Sequence, residues 1–564
     1  MRVVRSGSLT YLRSLSSAIL MATTSKSFSA SITTLVHPAA TKIEIPQDTL
    51  DAIDDLEPKS LWSQFAVLSS IPRPSKQEDA VIQYIKDFAD HHNLKWKQDA
   101  VGNLAVFHPG CGTGQAAPPV VLQGHVDMVT EKNSDKVHNF ETDPILLRRF
   151  QKASENWLGA QGTTLGADNG IGVAAALALL QTPTTDTSSS SRPMPPLEAL
   201  FTIDEETGLT GATELNAQEL GLTGTTMLNL DTEEWGELYV GCAGGGESTL
   251  TLPLERSSDD VLENDGEWKL VELKVDGLMG GHSGINIHEG RANAVLLCAA
   301  ATQQALQHEG VHLVSITGGD KHNAIPREAR AHLLVSGKDA QAAVQKVAET
   351  SQSAAKAEYG VLESNLRVVV VATDDGDESS DSCLKPLKKQ SASRLLSMLL
   401  SLPHGAIKFS HSIPDLVETS NNVASLTMDD DDKATILCST RSSIATALES
   451  TRDRLTAVAS LAGATIEKTP PYPGWNPNME SPVLQMAKSL LSQRLNRTPG
   501  IKAIHAGLEC GLLIEKMGGN VDALSFGPTI EGAHSPDESI HVDTVPPFFD
   551  LVQDILAELA EKRA

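Results

Sequence analysis

Hydrophobic positions along this chain alternate between two rhythms. Short apolar runs that stop at an acid or a histidine predict strands, and longer runs spaced by three and four predict helices. Residues 120–130, VVLQGHVDMVT, show the first rhythm most sharply. Alternate side chains of an extended backbone share a face, so His125 and Asp127, two residues apart, are expected on one side of a strand end. Upstream, residues 75–88, SKQEDAVIQYIKDF, place Ser75 and Glu78 as a capping box before Val81, Ile82, Ile85, Phe88 and Ala89 at helical spacing. An amphipathic helix follows from that pattern. Residues 94–96 and 104–107 read as strands. Residues 162–180, GTTLGADNGIGVAAALALL, predict a glycine-rich turn feeding a helix that is apolar on all sides and therefore buried, with Asp168 at its mouth. Two more apolar runs end in acids: residues 197–203 lead into Asp204, Glu205 and Glu206, and residues 227–230 lead into Asp231.

Strand, acidic terminus, helix and strand again is the pattern of an α/β layer whose strand ends carry chemistry. The pattern changes between residues 247 and 468. Strands are expected at 271–275, 311–317, 329–335 and 366–372, and helices at 292–308 and 339–358, without acids at their ends. This reads as a second, α+β domain inserted into the first. The chain then divides into a leader (1–43), a first part of the main domain (44–246), the inserted domain (247–468) and a second part of the main domain (469–564), which the resemblance described below makes the catalytic domain and its lid. Residues 188–196, SSSSRPMPP, predict a surface loop, residues 470–477, PPYPGWNP, a linker, and residues 481–495 a helix. Residues 523–535 predict a short strand and a glycine-rich loop that delivers His534. No internal sequence repeat is evident.

Composition narrows the partners. With 45 Lys and Arg against 72 Asp and Glu the net charge is -27, which argues against nucleic acid or an anionic membrane as partner. No window offers the ~18 apolar residues of a membrane span. Six scattered cysteines without a C-x-x-C pair read as reduced thiols. The first 43 residues are basic and rich in Ser and Thr, with no acid before Glu44, the composition of a mitochondrial or plastid transit peptide. Met21 offers a second start for a cytosolic form. The acidic stretches 374–381 and 429–432 lack the spacing of a calcium loop and read as solvated loops.

The candidate chemistry gathers in His125, Asp127, Asp168, Glu205, Glu206, Asp231 and His534. Such a set suits two divalent ions, with a carboxylate shared between them. Glu205 and Glu206 are adjacent, so one can bind metal while the other takes a proton from water. Two rival readings fall away. The glycines of 162–172 do not form G-x-G-x-x-G, and an Asp stands where phosphate would approach. A glycosidase built on Glu205 and Asp231 leaves both histidines unemployed and sits poorly with an aromatic content of 4%.

These residues lie in motifs that resemble the M20 family of metallopeptidases, and within it the dipeptidase branch: LQGHVDMV (122–129), TTLGADNGIGVAAAL (163–177), DEETGLTGA (204–212), LNLDTEE (228–234), GLMGGHSGINIHEGRANA (277–294), KHNAIPR (321–327), HAGLECG (505–511) and GPTIEGAHSPDE (527–538). The resemblance implies a zinc-peptidase-like α/β catalytic domain with an inserted lid. It implies two Zn2+ ions, with Mn2+ or Co2+ as substitutes, a small peptide as substrate, a cytoplasmic setting, and a homodimer formed through the lid. One ion would be held by His125, Asp168 and Asp231, the other by Asp168, Glu206 and His534. Asp127 would orient His125, Glu205 would be the general base, and His282 would stabilise the oxyanion, in dimeric members at the partner subunit's site. Asn323 and Arg441 would hold the substrate carboxylate, an Arg fork being suited to that group. His505 and Glu509, four apart, read as cleft lining without an assigned role. The same metal site would also serve an N-deacylase acting on N-acyl amino acids, and a silent metal-binding scaffold is the remaining alternative. The leader and the acidic loops depart from the compact family pattern.

Overall fold

The computed structural model describes residues 43–183, 192–258, 268–372, 385–429 and 432–561. The expected leader up to residue 42, the start of the serine-rich loop, the acidic stretch 374–381 and residues 430–431 of the second one lie outside the described residues.

Six strands of the first large sheet precede the insert: β1 (Lys95–Gln98), β2 (Leu104–His108), β3 (Val120–His125), β4 (Leu197–Thr202), β5 (Thr226–Asn229) and β6 (Glu237–Cys242). They are accompanied by α1 (Asp79–His91), α2 (Ala167–Leu180) and the single turn α3 (Glu205–Gly208). The insert carries β7 (Gly244–Pro253), β8 (Trp268–Asp276), α4 (Ala294–Ala305), β9 (Val311–Gly318), β10 (Ala329–Ser336), α5 (Gly337–Tyr359), β11 (Arg367–Ala372), α6 (Lys389–Ser401), β12 (Gly405–Phe409), β13 (Val417–Met428), β14 (Lys433–Ser442), α7 (Ala445–Ala462) and β15 (Thr465–Lys468). The chain then returns with β16 (Gly500–Ile504), α8 (Glu509–Lys516) and β17 (Asp522–Ser525).

The catalytic sheet runs β1-β2-β4-β3-β5-β17-β6-β16, with β3 parallel to both β4 and β5. Strands covered on both faces read as unbroken apolar runs, and every residue of β3 and β4 is buried. Helix α2, apolar all round as its sequence requires, packs on β3 and under the helix Lys59–Ser69. Its approach is close: a Cβ on Gly172 would stand 2.5 Å from the Leu230 carbonyl oxygen. Gly166 and Gly170 leave room instead for the Arg73 guanidinium, which would stand 2.5 and 2.7 Å from a Cβ at those positions. A small four-stranded sheet, Leu147–Lys152, Glu155–Ala160, Ile530–Glu531 and Ser539–His541, carries the loop that holds His534.

The lid is one antiparallel sheet in the order β11-β8-β10-β9-β13-β14-β7-β15, with β12 added along β13. Burial along β8 and β10 alternates, as expected where helices cover one face only. Its apolar core is distinct from that of the catalytic sheet. Two local expectations fail. Ser75 does not cap α1, which starts at Asp79 without a side-chain cap bond; its hydroxyl is engaged by Asp127 instead. Residues 470–477 are not a free linker, because Tyr472 and Trp475 exchange backbone hydrogen bonds with Gly245 and Cys242, which satisfies groups that a linker would leave to water. Among the described residues no helix is long and apolar enough to cross a membrane.

Replacing Gly172 by Ala forces α2 away from the Leu230 carbonyl. The expected cost is about 1–3 kcal/mol, read as a lower midpoint in denaturant unfolding; an unchanged midpoint would contradict this packing.

Candidate active site

The carboxyl ends of the parallel strands β3, β4 and β5 meet at one place, and each delivers part of the cluster. His125 closes β3, Glu205 and Glu206 form the first turn of α3 after β4, and Asp231 follows β5. Asp168 enters from the mouth of α2. His534 arrives on its loop in a left-handed backbone conformation, φ 62°.

Asp168 stands between the two histidines. Its Oδ1 lies 3.0 Å from His125 Nε2 and its Oδ2 3.2 Å from His534 Nε2. His125 Nε2 is also 3.4 Å from Asp231 Oδ1, and His534 Nε2 is 3.1 Å from Glu206 Oε2. Two groups could therefore hold one cation each, His125 with Asp168 and Asp231, and Asp168 with Glu206 and His534; within each, the ligand atoms lie within 4.8 Å of one another. The donor chemistry fits cations. A single imidazole nitrogen carries at most one proton and cannot satisfy both Asp168 and Asp231. Asp231 Oδ1 and Glu206 Oε1 are buried without a hydrogen bond. Borderline-hard divalent ions accept this mixture of imidazole and carboxylate.

Electrostatics point the same way. Burial and the neighbouring acids push Asp231 up to about 7 despite His125, and burial raises Glu205 well above the usual carboxylate range. Hydrogen bonds to Asp168 and Glu206 carry His534 up to about 11. Burial opposes a charged His125, yet Asp231, Asp127 and Asp168 together raise it well above its ordinary value.

Asp127 lies apart from the two groups around Asp168. Its carboxylate faces His125 Nδ1 at 3.3 Å and accepts hydrogen bonds from the Ser75 hydroxyl at 2.7 Å and the backbone N–H groups of Glu205 and Glu206 at 3.1 and 3.2 Å. One fully buried side chain thus fixes the imidazole and the turn that presents both glutamates. Burial would raise its pKa, but its contacts with His125 and the hydrogen bonds from Ser75 and Glu205 hold it at about 2.

Sequence reasoning missed the supports of Asp168. Glu538 accepts from the backbone N–H groups of Leu165, Gly166, Ala167 and Asp168 at 2.7, 2.9, 2.7 and 3.3 Å, a cradle closed around a carboxylate. The buried Arg73 donates to the carbonyls of Val126, Asp127 and Gly166 at 3.0, 2.9 and 2.5 Å. It ties the β3 end to the Asp168 loop. Asn169 donates to the Leu230 carbonyl at 2.7 Å and links that loop to β5. Glu538 lies four residues after His534 in the quoted motif, which was the available signal; Arg73 gave none.

His505 and Glu509 form no helical metal pair, because His505 precedes α8. Glu509 is fully buried, accepts from Gln123 and Thr202 at 2.6 and 2.7 Å, and is pushed by burial to about 7. His505 Nε2 meets the Ser420 hydroxyl of the lid at 2.7 Å.

On the lid, His282 accepts backbone N–H bonds at Nδ1 from Gly284 and Ile285 at 3.2 and 3.0 Å. Burial, with Arg441 and His322 nearby, lowers it to about 4. The ring is neutral at physiological pH and carries its proton on Nε2, the form that can donate. Asn323 is exposed, and its carbonyl holds the Ser283 N–H at 2.8 Å. Arg441 is buried, donates to the Tyr472 hydroxyl at 3.0 Å, and keeps its Nε without a hydrogen bond.

Residues 108–257 match the family described as Peptidase family M28, and residues 273–361 match the one described as Peptidase dimerisation domain. The cytosol non-specific dipeptidase of Escherichia coli (strain K12) is 36% identical over 515 residues, which covers 91% of this chain and 100% of that protein. The chain belongs to the M20 family of peptidases. The crystal structure of aminoacylhistidine dipeptidase from Vibrio alginolyticus agrees, at 37% identity, 90% coverage of this chain, 98% of that chain and a TM-score of 0.77. As an M20 peptidase the chain is a peptide-bond hydrolase, with the catalytic and lid architecture that its motifs implied.

Glu538→Ala removes a charged acceptor from a row of buried N–H groups. We expect a loss of roughly 3 kcal/mol or more in equilibrium unfolding, together with weaker retention of metal on dialysis. A variant as stable as the parent would show that the cradle is dispensable.

Proposed function

We propose that this M20 peptidase hydrolyses dipeptides, Xaa-His among them, at a centre of two Zn2+ ions for which Mn2+ or Co2+ can substitute. The observation that carries the reading is Asp168 lying between His125 and His534, each histidine facing a further carboxylate. Relatives that align with nearly the whole chain bear the names of dipeptidases, which supports the substrate class.

In this reading His125, Asp168 and Asp231 hold one ion, and Asp168, Glu206 and His534 hold the other. When bound, such ions acidify water and polarise a carbonyl oxygen. The remaining work falls to the chain's own residues. Asp127 keeps the His125 ring in register through Nδ1. Glu205, not needed as a ligand, takes a proton from the attacking water and gives it to the departing amine. His282 donates Nε2–H to the oxygen that gains charge in the tetrahedral intermediate. Arg441 and Asn323 engage the substrate carboxylate, so that length is measured from the carboxyl end to the scissile bond.

Glu205→Gln should retain both metals and lose turnover by about 10²–10⁴-fold; normal turnover would remove Glu205 from the reaction. Asp168→Ala should lose metal together with activity, and retention of two ions by elemental analysis would refute the shared carboxylate. Dipeptides and N-acyl amino acids assayed side by side, with and without chelator, decide the substrate class. Chelator-sensitive hydrolysis of dipeptides is expected, and hydrolysis of the N-acyl series alone would make the chain an N-deacylase.

A further inference from the structure

Arg441 is a buried cation without an anion. Its Nη1 donates to the Tyr472 hydroxyl, its Nε has no hydrogen bond, and among the described residues no carboxylate lies within ion-pair reach of it. The two imidazoles that feel its charge, His282 and His505, are lowered to about 4 and about 3 by burial and by Arg441 itself, and are neutral. A guanidinium kept out of water among neutral groups calls for a bound anion. That is the place given above to the substrate carboxylate.

Tyr472 is built into the same place. It belongs to the stretch 470–477, whose backbone runs beside the start of β7: the Tyr472 N–H donates to the Gly245 carbonyl at 2.9 Å, and the Gly245 N–H to the Tyr472 carbonyl at 3.1 Å. Gly245 is also the partner of Arg441 across β7 and β14. The phenol fills the space that a side chain at Gly245 would take, since a Cβ there would stand 2.5 Å from Oη and 2.7 Å from Cζ. The ring also lies against Gly507, where a Cβ would meet Tyr472 Cε2 and Leu209 Cδ1, both at 3.6 Å. Leu209 closes the turn that carries Glu205, its N–H bound to the Glu205 carbonyl at 3.0 Å. The phenol thus reaches from the Arg441 fork toward the turn of the proposed general base.

A phenolic oxygen that accepts from Arg441 keeps its own proton to give. Burial raises the Tyr472 pKa against the pull of Arg441, so that proton is present at physiological pH. Among the described residues nothing accepts it.

We propose that Tyr472 is a specificity-determining residue, whose hydroxyl orients the Arg441 fork and donates a further hydrogen bond to the same substrate carboxylate. This rests on the role given above to Arg441. A free carboxylate receives both donors. A carboxamide turns N–H groups toward donors that cannot accept them, and a longer peptide lacks the charge at this position, so the pair selects substrates that end at the second residue.

The test compares Ala-His with its C-terminal carboxamide on the zinc-loaded protein. Wild type is expected to prefer the free dipeptide in kcat/KM, and Tyr472→Phe to shrink that preference by about 10–100-fold, through KM more than kcat. An undiminished preference, or an equal fall for both compounds, overturns the proposal. Arg441→Ala separates it from the reading on which it rests. If that variant abolishes the preference and Tyr472→Phe does not, Tyr472 alone is excluded; if it leaves the preference intact, the carboxylate role of Arg441 falls and this proposal with it. Calorimetric affinities for the two compounds in the Glu205→Gln background are expected to follow the same ratio without turnover. A wild type inactive on dipeptides would count against the proposed function, and the binding ratio would still decide the role of Tyr472.

Discussion

Buried negative charge is the constraint on which this molecule turns. Asp168, Glu205, Glu206, Asp231 and Glu509 converge at the ends of three parallel strands, Glu205 half-buried and the other four largely removed from water. Two like charges at 4 Å repel by about 4 kcal/mol even at an effective dielectric near 20. Acids in such a cluster either keep protons or receive cations. The raised pKa values of Asp231, Glu205 and Glu509 express the first outcome, and the convergence of two imidazoles on Asp168 prepares the second. Asp127 and Glu538 are acids of another kind, each surrounded by donors and each spent on holding backbone in place.

That division explains which parts of the site could be read from the sequence. Every proposed metal ligand follows an apolar run or a glycine-rich turn, so His125, Asp168, Glu206, Asp231 and His534 announce themselves by local pattern. The supports do not. Ser75 resembled a helix cap because one hydroxyl can accept from a helix N–H or donate to a carboxylate, and only the fold reveals which partner is in reach. Glu538 acts on backbone N–H groups some 370 residues away in sequence, and backbone partners leave no residue signature. Arg73 reaches three carbonyls and is equally silent.

The inserted lid shows the same limit at a larger scale. Periodicity made β8, α4, β9, β10, α5 and β11 legible, with ends shifted by a few residues, whereas β7 and every element from α6 to β15 went unread.

The central claim is that the two histidines and the carboxylates around Asp168 form a dinuclear metal centre. Anomalous diffraction at the zinc edge from crystals of the zinc-loaded protein tests it most directly. Two peaks are expected, one between His125, Asp168 and Asp231 and one between Asp168, Glu206 and His534. A single peak, or none at the end of these strands, would contradict the account.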